Sequence, residues 1–328
     1  MPSSEVAGPA EVLVVAELTG TGEPTRATLE ALTAARVLGA PVAVVLGVPG
    51  AAAGAAAELA RFGAGRVLVG ESAELDAALA GPRVDVLARL VADRAPAAVV
   101  VPASAEGREV AARLAVRTGS GFLTDVVGFA ADGSATQLAF GGTTVVRARV
   151  TTGTPVHAWR AASLTPVPAP VDPVVEQVPV ELSVTAREAR VVRRVAGPAA
   201  GRPALTEASV VVAVGRGVTT AAELAAVEEL ADALGAAIGA TRAAVDAGSC
   251  PPSCLVGQSG ARVSPRLYVA VGISGAAQHW SGVRAAQTVV AVNSDPDAPV
   301  FALADFGVVG DVATVVPALT AQITAARA

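Results

Sequence analysis

Residues 267–279 read LYVAVGISGAAQH, and the rest of the chain is organised around this stretch. The run LYVAV predicts a short buried strand. Gly272 and Gly275 follow with Ser274 between them, and the remaining residues predict the start of a helix. Such a corner is typical of an open α/β sheet, where backbone N–H groups and a helix dipole favour an anionic ligand. We therefore expect a phosphate-bearing ligand at this corner.

Comparable corners lie on both sides of this stretch, which makes residues 240–293 the centre of the predicted site. The strand ASVVVAV at 208–214 meets Gly215-Arg216-Gly217, and the segments ATRAAVD (240–246), VGQSG (256–260) and TVVAVN (288–293) complete the region. A single GxG turn is a weak dinucleotide signal because the third glycine of the fingerprint is missing. Several corners in one segment nevertheless predict one pocket built from several strand ends.

Helix signals support this arrangement. Thr220 and Glu223 have the spacing of a capping box, and apolar residues recur at helical spacing until Gly235. We predict a helix between these points that packs one face on the sheet.

The first part of the chain alternates strand and helix from Glu11 to about Gly128. The strands EVLVVAEL, PVAVVLG, RVLVG, AAVVVPA and FLTDVVGF are separated by helical segments, which predicts a mostly parallel sheet covered on both faces. Between about 137 and 195 the pieces TTVVRARV and TPVHAWRA predict an antiparallel extension. His157 lies in that extension and is predicted to be a partly buried structural histidine.

The segment GPAAGRPALT at 197–206 is rich in proline, glycine and alanine, which predicts a linker. The predicted fold class is α/β with two domains, each a mostly parallel sheet flanked by helices. Residues 1–200 form the first domain with its β-rich extension. Residues 201–328 form the second, an open Rossmann-like sheet that carries the ligand.

Composition excludes several classes of function. The net charge is −5 and the 24 basic residues are all arginine, scattered along the chain, so neither a nucleic-acid-binding face nor a lysine-dependent mechanism is expected. Apolar runs stay below the roughly eighteen residues of a membrane helix, so we expect no stable membrane insertion. The N-terminus lacks the basic region of a signal peptide, and we predict a cytoplasmic protein.

Metal and thiol chemistry are also unexpected. The chain has two histidines and two cysteines, too few and too badly spaced for a zinc or iron–sulfur site. Cys250 and Cys254 in SCPPSC could form a disulfide, but a cytosolic setting and two intervening prolines favour free thiols.

Taken together, these motifs resemble the α subunit of electron transfer flavoprotein. The matching segments are GRG (215–217), TRAAVDAG (241–248), VGQSG (256–260), SPRLYVAVGISGAAQH (264–279), VAVNSDPDAPVF (290–301) and ADFGVVGDVATVVPAL (304–319). They occur in order over nearly all of the second domain. The first domain is similar only in layout, from LARL (87–90) to TDV (124–126).

The resemblance implies a heterodimer with a β subunit and one FAD, held mainly by the second domain of this chain. The first domain would serve subunit contact. The residues that the resemblance assigns to FAD are Arg216, Thr241, Arg242, Val256, Gly257, Gln258, Ser259, Ser274, Gly275, Ala276, Ala277, Gln278, His279, Asn293 and Asp311.

By the same resemblance, three of these residues surround the flavin ring. Arg242 lies against the isoalloxazine, Ser259 reaches N5 and His279 faces O2. A fixed positive charge and hydrogen-bond donors on that side stabilise the negative charge of the reduced ring.

The remaining residues hold the rest of the cofactor. Ser274, Gly275 and Gln278 would bind the pyrophosphate with support from Arg216. Asn293 and Asp311 would bind the adenosine end, although Asp311 is also placed to cap the final helix, and both roles can hold at once.

Three features depart from the usual family pattern. Thr241 stands where serine is usual and Ser259 where threonine is usual, so each position keeps a hydroxyl. The flavin potential could shift slightly as a result. The third departure is the cysteine pair in SCPPSC.

The resemblance implies an electron carrier rather than an enzyme, because no general acid, base or substrate pocket is evident. Its FAD would accept electrons from flavin dehydrogenases of the acyl-CoA type, as in fatty acid β-oxidation, and pass them to an acceptor such as a quinone oxidoreductase. One alternative is the FAD-binding subunit of an electron-bifurcating, NADH-dependent flavoprotein. Another is an NAD-dependent enzyme on a similar open sheet, which the glycine corners alone would allow.

Overall fold

The computed structural model describes residues 10–139, 144–193, 201–283 and 286–327. It divides into two units, residues 1–195 and 196–328. Residues 197–200 of the predicted linker lie outside the described residues. The assignment of 1–200 and 201–328 as separate domains stays a prediction.

In the first unit, strands and helices alternate before a run of strands. In chain order the elements are β1 (Glu11–Ala16), α1 (Arg26–Ala35), β2 (Ala40–Gly47), α2 (Ala55–Arg61), β3 (Arg66–Glu71), α3 (Glu74–Ala77), α4 (Gly81–Arg94), β4 (Ala98–Pro102), α5 (Ala105–Arg117), β5 (Phe122–Phe129), β6 (Ala135–Ala139), β7 (Thr144–Ala148), β8 (Val156–Trp159) and β9 (Val174–Gln177).

The described strands of this unit form one sheet in the order β7-β6-β5-β8-β4-β1-β2-β3-β9. Its centre is buried on both faces: residues 12–14 of β1 and 99–101 of β4 are at most 1% exposed. Near-continuous apolar strands of this kind are what a helix-covered parallel sheet requires. The predicted mostly parallel sheet is confirmed for this unit.

Two parts of the predicted antiparallel extension are wrong, because β8, which lies in TPVHAWRA, and β9 are both parallel to their neighbours. TTVVRARV contains β7, which pairs antiparallel with β6, but β8 lies between β4 and β5 and is parallel to both. All four residues of β8 are buried, as an interior parallel strand demands.

His157 is therefore fully buried rather than partly buried, with 1% of its surface exposed. Its ring packs against Phe129 at a centroid distance of 5.1 Å. Burial lowers the pKa of His157 to about 4 and keeps the ring neutral at pH 7.

The second unit contains a smaller sheet. Its elements are β10 (Val210–Val214), α6 (Ala221–Leu234), β11 (Ala237–Ala240), α7 (Arg242–Asp246), β12 (Leu267–Val271), α8 (Ala277–Trp280), β13 (Thr288–Asn293), β14 (Phe306–Val309) and α9 (Val312–Arg327). The described strands are parallel and follow the order β11-β10-β12-β13-β14. The predicted capping box of Thr220 and Glu223 is confirmed at the start of α6.

Counted within this unit, the strand order is 2-1-3-4-5. This is the second common doubly wound order and differs from the 3-2-1-4-5-6 order of the Rossmann fold. The order reverses between β10 and β12, and the crevice outside their carboxyl ends is where such sheets bind ligands. Among the helices of the described residues, none combines the length and apolarity needed to cross a membrane.

Candidate functional site

A cleft of about 720 Å³ opens in the second unit at this reversal of strand order. Its wall takes residues from the corners that follow β10, β11, β12 and β13, together with the VGQSG loop. A volume of this size is ordinary for small-molecule and cofactor sites. The sheet therefore brings the separate sequence motifs to one place.

Most of the sequence-predicted residues lie on the cleft wall: Arg216, Thr241, Arg242, Val256, Gly257, Gln258, Ser259, Ser274, Ala276, Gln278, His279 and Asn293. Gly275, Ala277 and Asp311 are not among the wall residues. Two acidic residues that sequence reasoning missed, Asp246 and Asp295, also line the cleft. Asp246 could have been found, because it lies four residues after Arg242 on the same helix face.

The glycines after β10 and β12 allow the main chains of the two turns to pack directly against each other. A Cβ added to Gly215 would lie 2.1 Å from the carbonyl oxygen of Gly272, and one added to Gly217 would lie 2.9 Å from the Cα of Gly272. The turns after β10 and β12 thus meet at their main chains. Any larger residue would push the two corners apart.

Gly275 is not itself on the cleft wall, but its backbone conformation sets the turn that contributes residues to that wall. Its φ is +94°, and an added Cβ would lie 2.6 Å from the backbone nitrogen of Val300. A side chain there would suffer both strain and overlap. The second glycine of GISG is thus required by the geometry of the corner.

This corner offers backbone donors to the cleft. Within the described ranges, the N–H groups of residues 274–278 reach no acceptor of the chain. The following helix α8 has only four residues, so its dipole contributes less than the sequence suggested. The individual N–H groups, rather than a long helix, are what the corner presents to an anion.

The motif after β11 places a cation on the cleft wall. Thr241 caps α7, its hydroxyl accepting from the N–H of Ala244 over 3.2 Å, and Arg242 is the first helical residue. Arg242 Nη2 donates to Ser259 Oγ over 2.9 Å, while Nη1 lies 3.8 Å from Asp246 Oδ1. The Arg242 side chain remains 56% exposed. A cation held on one side and open on the other is suited to a ligand that gains negative charge.

His279 is buried at the base of the cleft, with 5% of its surface exposed. Its Nδ1 lies 3.0 Å from the carbonyl oxygen of Val256 and its Nε2 lies 2.7 Å from the hydroxyl of Tyr268. A carbonyl only accepts, so Nδ1 carries the hydrogen and Nε2 accepts from the tyrosine. Burial lowers the pKa of His279 to about 4, against a smaller opposing effect of the Val256 hydrogen bond.

This geometry changes what His279 can do. The imidazole is neutral at pH 7, and both of its nitrogens are engaged by the protein. A donor role toward a ligand, as the sequence predicted, would require one of these two hydrogen bonds to break.

Asn293 and Asp311 both have structural roles. Asn293 Nδ2 donates to the carbonyl of Ile273 over 2.9 Å, and its Oδ1 accepts from the N–H of Asp295 over 3.0 Å. Asp311 accepts from the N–H of Ala313 over 2.8 Å at the start of α9. Asn293 thus braces the cleft wall, whereas Asp311 caps a helix beside it, and their ligand roles stay predictions.

Cys250 and Cys254 are free thiols. Cys250 is buried in the same core as Leu230 of α6. Burial, with a smaller effect of the neighbouring Cys254, raises the pKa of the Cys250 thiol to about 11. It is therefore protonated and unreactive at neutral pH.

Two family models match the chain. The electron transfer flavoprotein FAD-binding domain matches residues 204–284, which include most of the cleft. The electron transfer flavoprotein domain matches residues 12–187.

Curated relatives match over almost the whole chain. The electron transfer flavoprotein subunit alpha of Mycobacterium leprae is 47% identical, covering 97% of this chain and 99% of the relative. The protein of the same name from Mycobacterium tuberculosis (strain H37Rv) is 48% identical with the same coverage. That of Paracoccus denitrificans is 37% identical, covering 95% of this chain and 99% of the relative.

Proposed function

This chain belongs to the electron transfer flavoprotein α-subunit family, and we propose that it is the FAD-carrying subunit of a heterodimeric electron carrier. Its cofactor is FAD, because its second unit contains the FAD-binding domain of the family. The observation that carries the proposal is the joint presence, in one cleft, of a donor-rich corner and an open cation.

The cleft fits the two charged parts of FAD. The backbone donors of residues 274–278 suit the pyrophosphate, and the exposed Arg216 lies on the same wall. Arg242 and Ser259 lie on another part of the wall and suit the isoalloxazine. When bound, FAD supplies reversible one- and two-electron chemistry, and the protein supplies position and charge.

The residues around Arg242 keep its charge directed into the cleft. The hydroxyl of Ser259 and the carboxylate of Asp246 contact different nitrogens of the guanidinium. Their contacts restrain its orientation before the ring gains negative charge, so little reorganisation accompanies electron arrival.

The composition of the wall supports a carrier rather than an enzyme. The titratable side chains on the described cleft wall are Arg216, Arg242, Asp246, His279 and Asp295. His279 is neutral with both nitrogens engaged. The two aspartates are exposed, and Asp246 is paired with Arg242.

The partner proteins are inferred from the family to which the chain belongs, not from the geometry of the cleft. The relatives are named as α subunits, which supports a β subunit as partner. We propose that this β subunit contacts the first unit and the flavin. We propose flavin dehydrogenases, of the acyl-CoA type, as electron donors and a quinone oxidoreductase as the acceptor. The proposed location is the cytoplasm.

Coexpression with the candidate β subunit, followed by purification, an absorption spectrum and a flavin count, tests the proposal. We expect a yellow heterodimer with one FAD that is reduced by an acyl-CoA dehydrogenase and its substrate. Two FAD per heterodimer with NADH-dependent reduction would replace the simple carrier by the bifurcating alternative. A colourless complex that binds NAD would overturn the flavoprotein proposal.

A further inference from the structure

Tyr268 contacts a residue of the cleft wall, His279, but is not itself on that wall. It belongs to β12, and its side chain is fully buried among residues such as Ile273 and Val283. Its hydroxyl pairs with His279 Nε2 over 2.7 Å. A hydroxyl in an apolar core stays only where it has a partner, because an unpaired buried polar group is costly.

The hydrogen bond continues through the imidazole to the VGQSG loop. His279 Nδ1–H donates to the carbonyl of Val256, and the N–H of Gln258 donates to the carbonyl of Gln278 over 2.8 Å. These two bonds tie the loop to α8. Ser259, the next residue of that loop, accepts from Arg242.

The position of the flavin-facing hydroxyl thus depends on a chain of contacts that begins at Tyr268. The tyrosine donates to the histidine, the histidine donates to the loop, and the loop carries Ser259. The donor and the acceptor of each hydrogen bond in this series are fixed, because the Val256 carbonyl can only accept.

We propose that Tyr268 is a positioning residue of the FAD site, whose hydroxyl holds His279 as the neutral, Nδ1-protonated imidazole that anchors the VGQSG loop. The inference deepens the proposed function and rests on it for the identity of the ligand. Tyr268 has no contact with the cofactor in this assignment and acts only through His279.

The charged groups around the imidazole are Arg242 and Asp246 of α7, Arg216 after β10 and Asp295 after β13, which share the cleft wall with it. The arginines oppose protonation of His279 and the aspartates favour it. The Tyr268 bond favours the neutral form, because it uses the Nε2 lone pair that protonation would consume. Loss of the hydroxyl therefore raises the pKa of His279.

The composition of the chain makes the test specific, since it contains one tyrosine and two histidines. The purified FAD-loaded heterodimer is prepared with ¹⁵N-histidine in this chain alone, and long-range ¹H–¹⁵N spectra are recorded from pH 4.5 to 8.5. For the wild type we expect His279 to show the neutral Nδ1–H tautomer at pH 5.5 and above. His157, which belongs to the first unit, is the internal control.

Tyr268→Phe removes the hydroxyl and keeps the ring. We expect the Nε2 resonance to move toward the value of a nitrogen without a hydrogen bond, and the pKa of His279 to rise by roughly one unit. The midpoint potential of the flavin should then gain a pH dependence in the acidic range that the wild type lacks. Trp280→Phe, a change of α8 packing that leaves the Tyr268 bond intact, should produce neither effect.

The possible results distinguish a failure of the inference about Tyr268 from a failure of the proposed function. An Nε2-protonated or cationic His279 in the wild-type complex would overturn the inference without any variant. So would an unchanged Nε2 resonance in a Tyr268→Phe protein that retains its His157 signal. A wild-type heterodimer without FAD would instead contradict the proposed function, whereas the tautomer of His279 can still be measured in that protein.

Discussion

Arg242 and Ser259 are seventeen residues apart, and the guanidinium of the first donates to the hydroxyl of the second over 2.9 Å. One follows β11 and the other lies in the VGQSG loop. Their hydrogen bond connects the two motifs to which the sequence assigns the flavin ring.

Replacing Arg242 by alanine should make the bound flavin harder to reduce, because a cation beside the accumulating negative charge is lost. The side chain is more than half exposed in this chain, so solvent screens part of the effect. We expect the midpoint potential to fall by tens of millivolts, on the order of 1 to 3 kcal/mol. Spectroelectrochemical titration of the heterodimer measures it.

Asp246→Asn is the matched control with the opposite sign. It removes an anion 3.8 Å from Arg242 and should raise the potential. Equal shifts in both variants would show that the effect is not electrostatic.

At Ser259, alanine and threonine should behave differently. Ser259→Ala removes the acceptor of the Arg242 hydrogen bond, so the guanidinium loses one restraint and the potential should fall by less than in Arg242→Ala. Ser259→Thr keeps the hydroxyl and should stay close to the wild type. A threonine variant as impaired as the alanine variant would argue that side-chain volume, not hydrogen bonding, matters there.

Gly275→Ala should disrupt the phosphate corner. The added Cβ would meet the backbone of Val300 at 2.6 Å, on a residue whose φ is +94°. We expect at least a tenfold loss of FAD affinity in equilibrium titration, with a destabilisation of about 1 to 3 kcal/mol. Gly248→Ala has a positive φ of 78° but open space around it, so it should cost some stability and leave FAD affinity unchanged.

Stability should fall in acid because His279 is buried in its neutral form. Its pKa is near 6.5 in the unfolded chain and about 4 in the folded one, so the unfolded state binds more protons between these values. The contribution is present above pH 6.5 and is lost as the pH falls toward 4, at about 1.4 kcal/mol per pH unit.

Calorimetry of the wild type and of His279→Gln at pH 7 and pH 5 tests this. The glutamine variant, which cannot titrate, should lose about 2 kcal/mol less than the wild type between the two pH values. Equal losses would place the acid sensitivity elsewhere.

Asp311 can be tested for a ligand role apart from its role as a cap. Asp311→Asn keeps a side-chain acceptor for the N–H of Ala313, so α9 should stay intact. If the carboxylate also binds the adenosine end, FAD affinity should fall by about tenfold. Unchanged affinity in isothermal titration would leave Asp311 as a helix cap alone.

Local rules account for what could be predicted. The LYVAV and ASVVVAV runs, the capping box at Thr220 and the glycine corners are short-range patterns, and each is set by backbone conformation, burial and hydrogen bonding within a few residues. The order of motifs along the chain was sufficient to identify the family.

Two features depended on contacts between distant segments, and local patterns do not predict them. β8 lies between β4 and β5 with both of its faces buried, although its sequence also suits an edge. Asp295 reaches the cleft only because the strand ends converge there.

His279 shows most clearly which properties follow from local sequence and which from tertiary contacts. Local signals in the sequence, namely the glycines and the strand before them, are enough to place His279 after a phosphate-type corner. Its chemical state depends on contacts with distant segments of the chain. Residue 268, on the strand below, and residue 256, on a separate loop, take both of its nitrogens, and burial between them removes its charge.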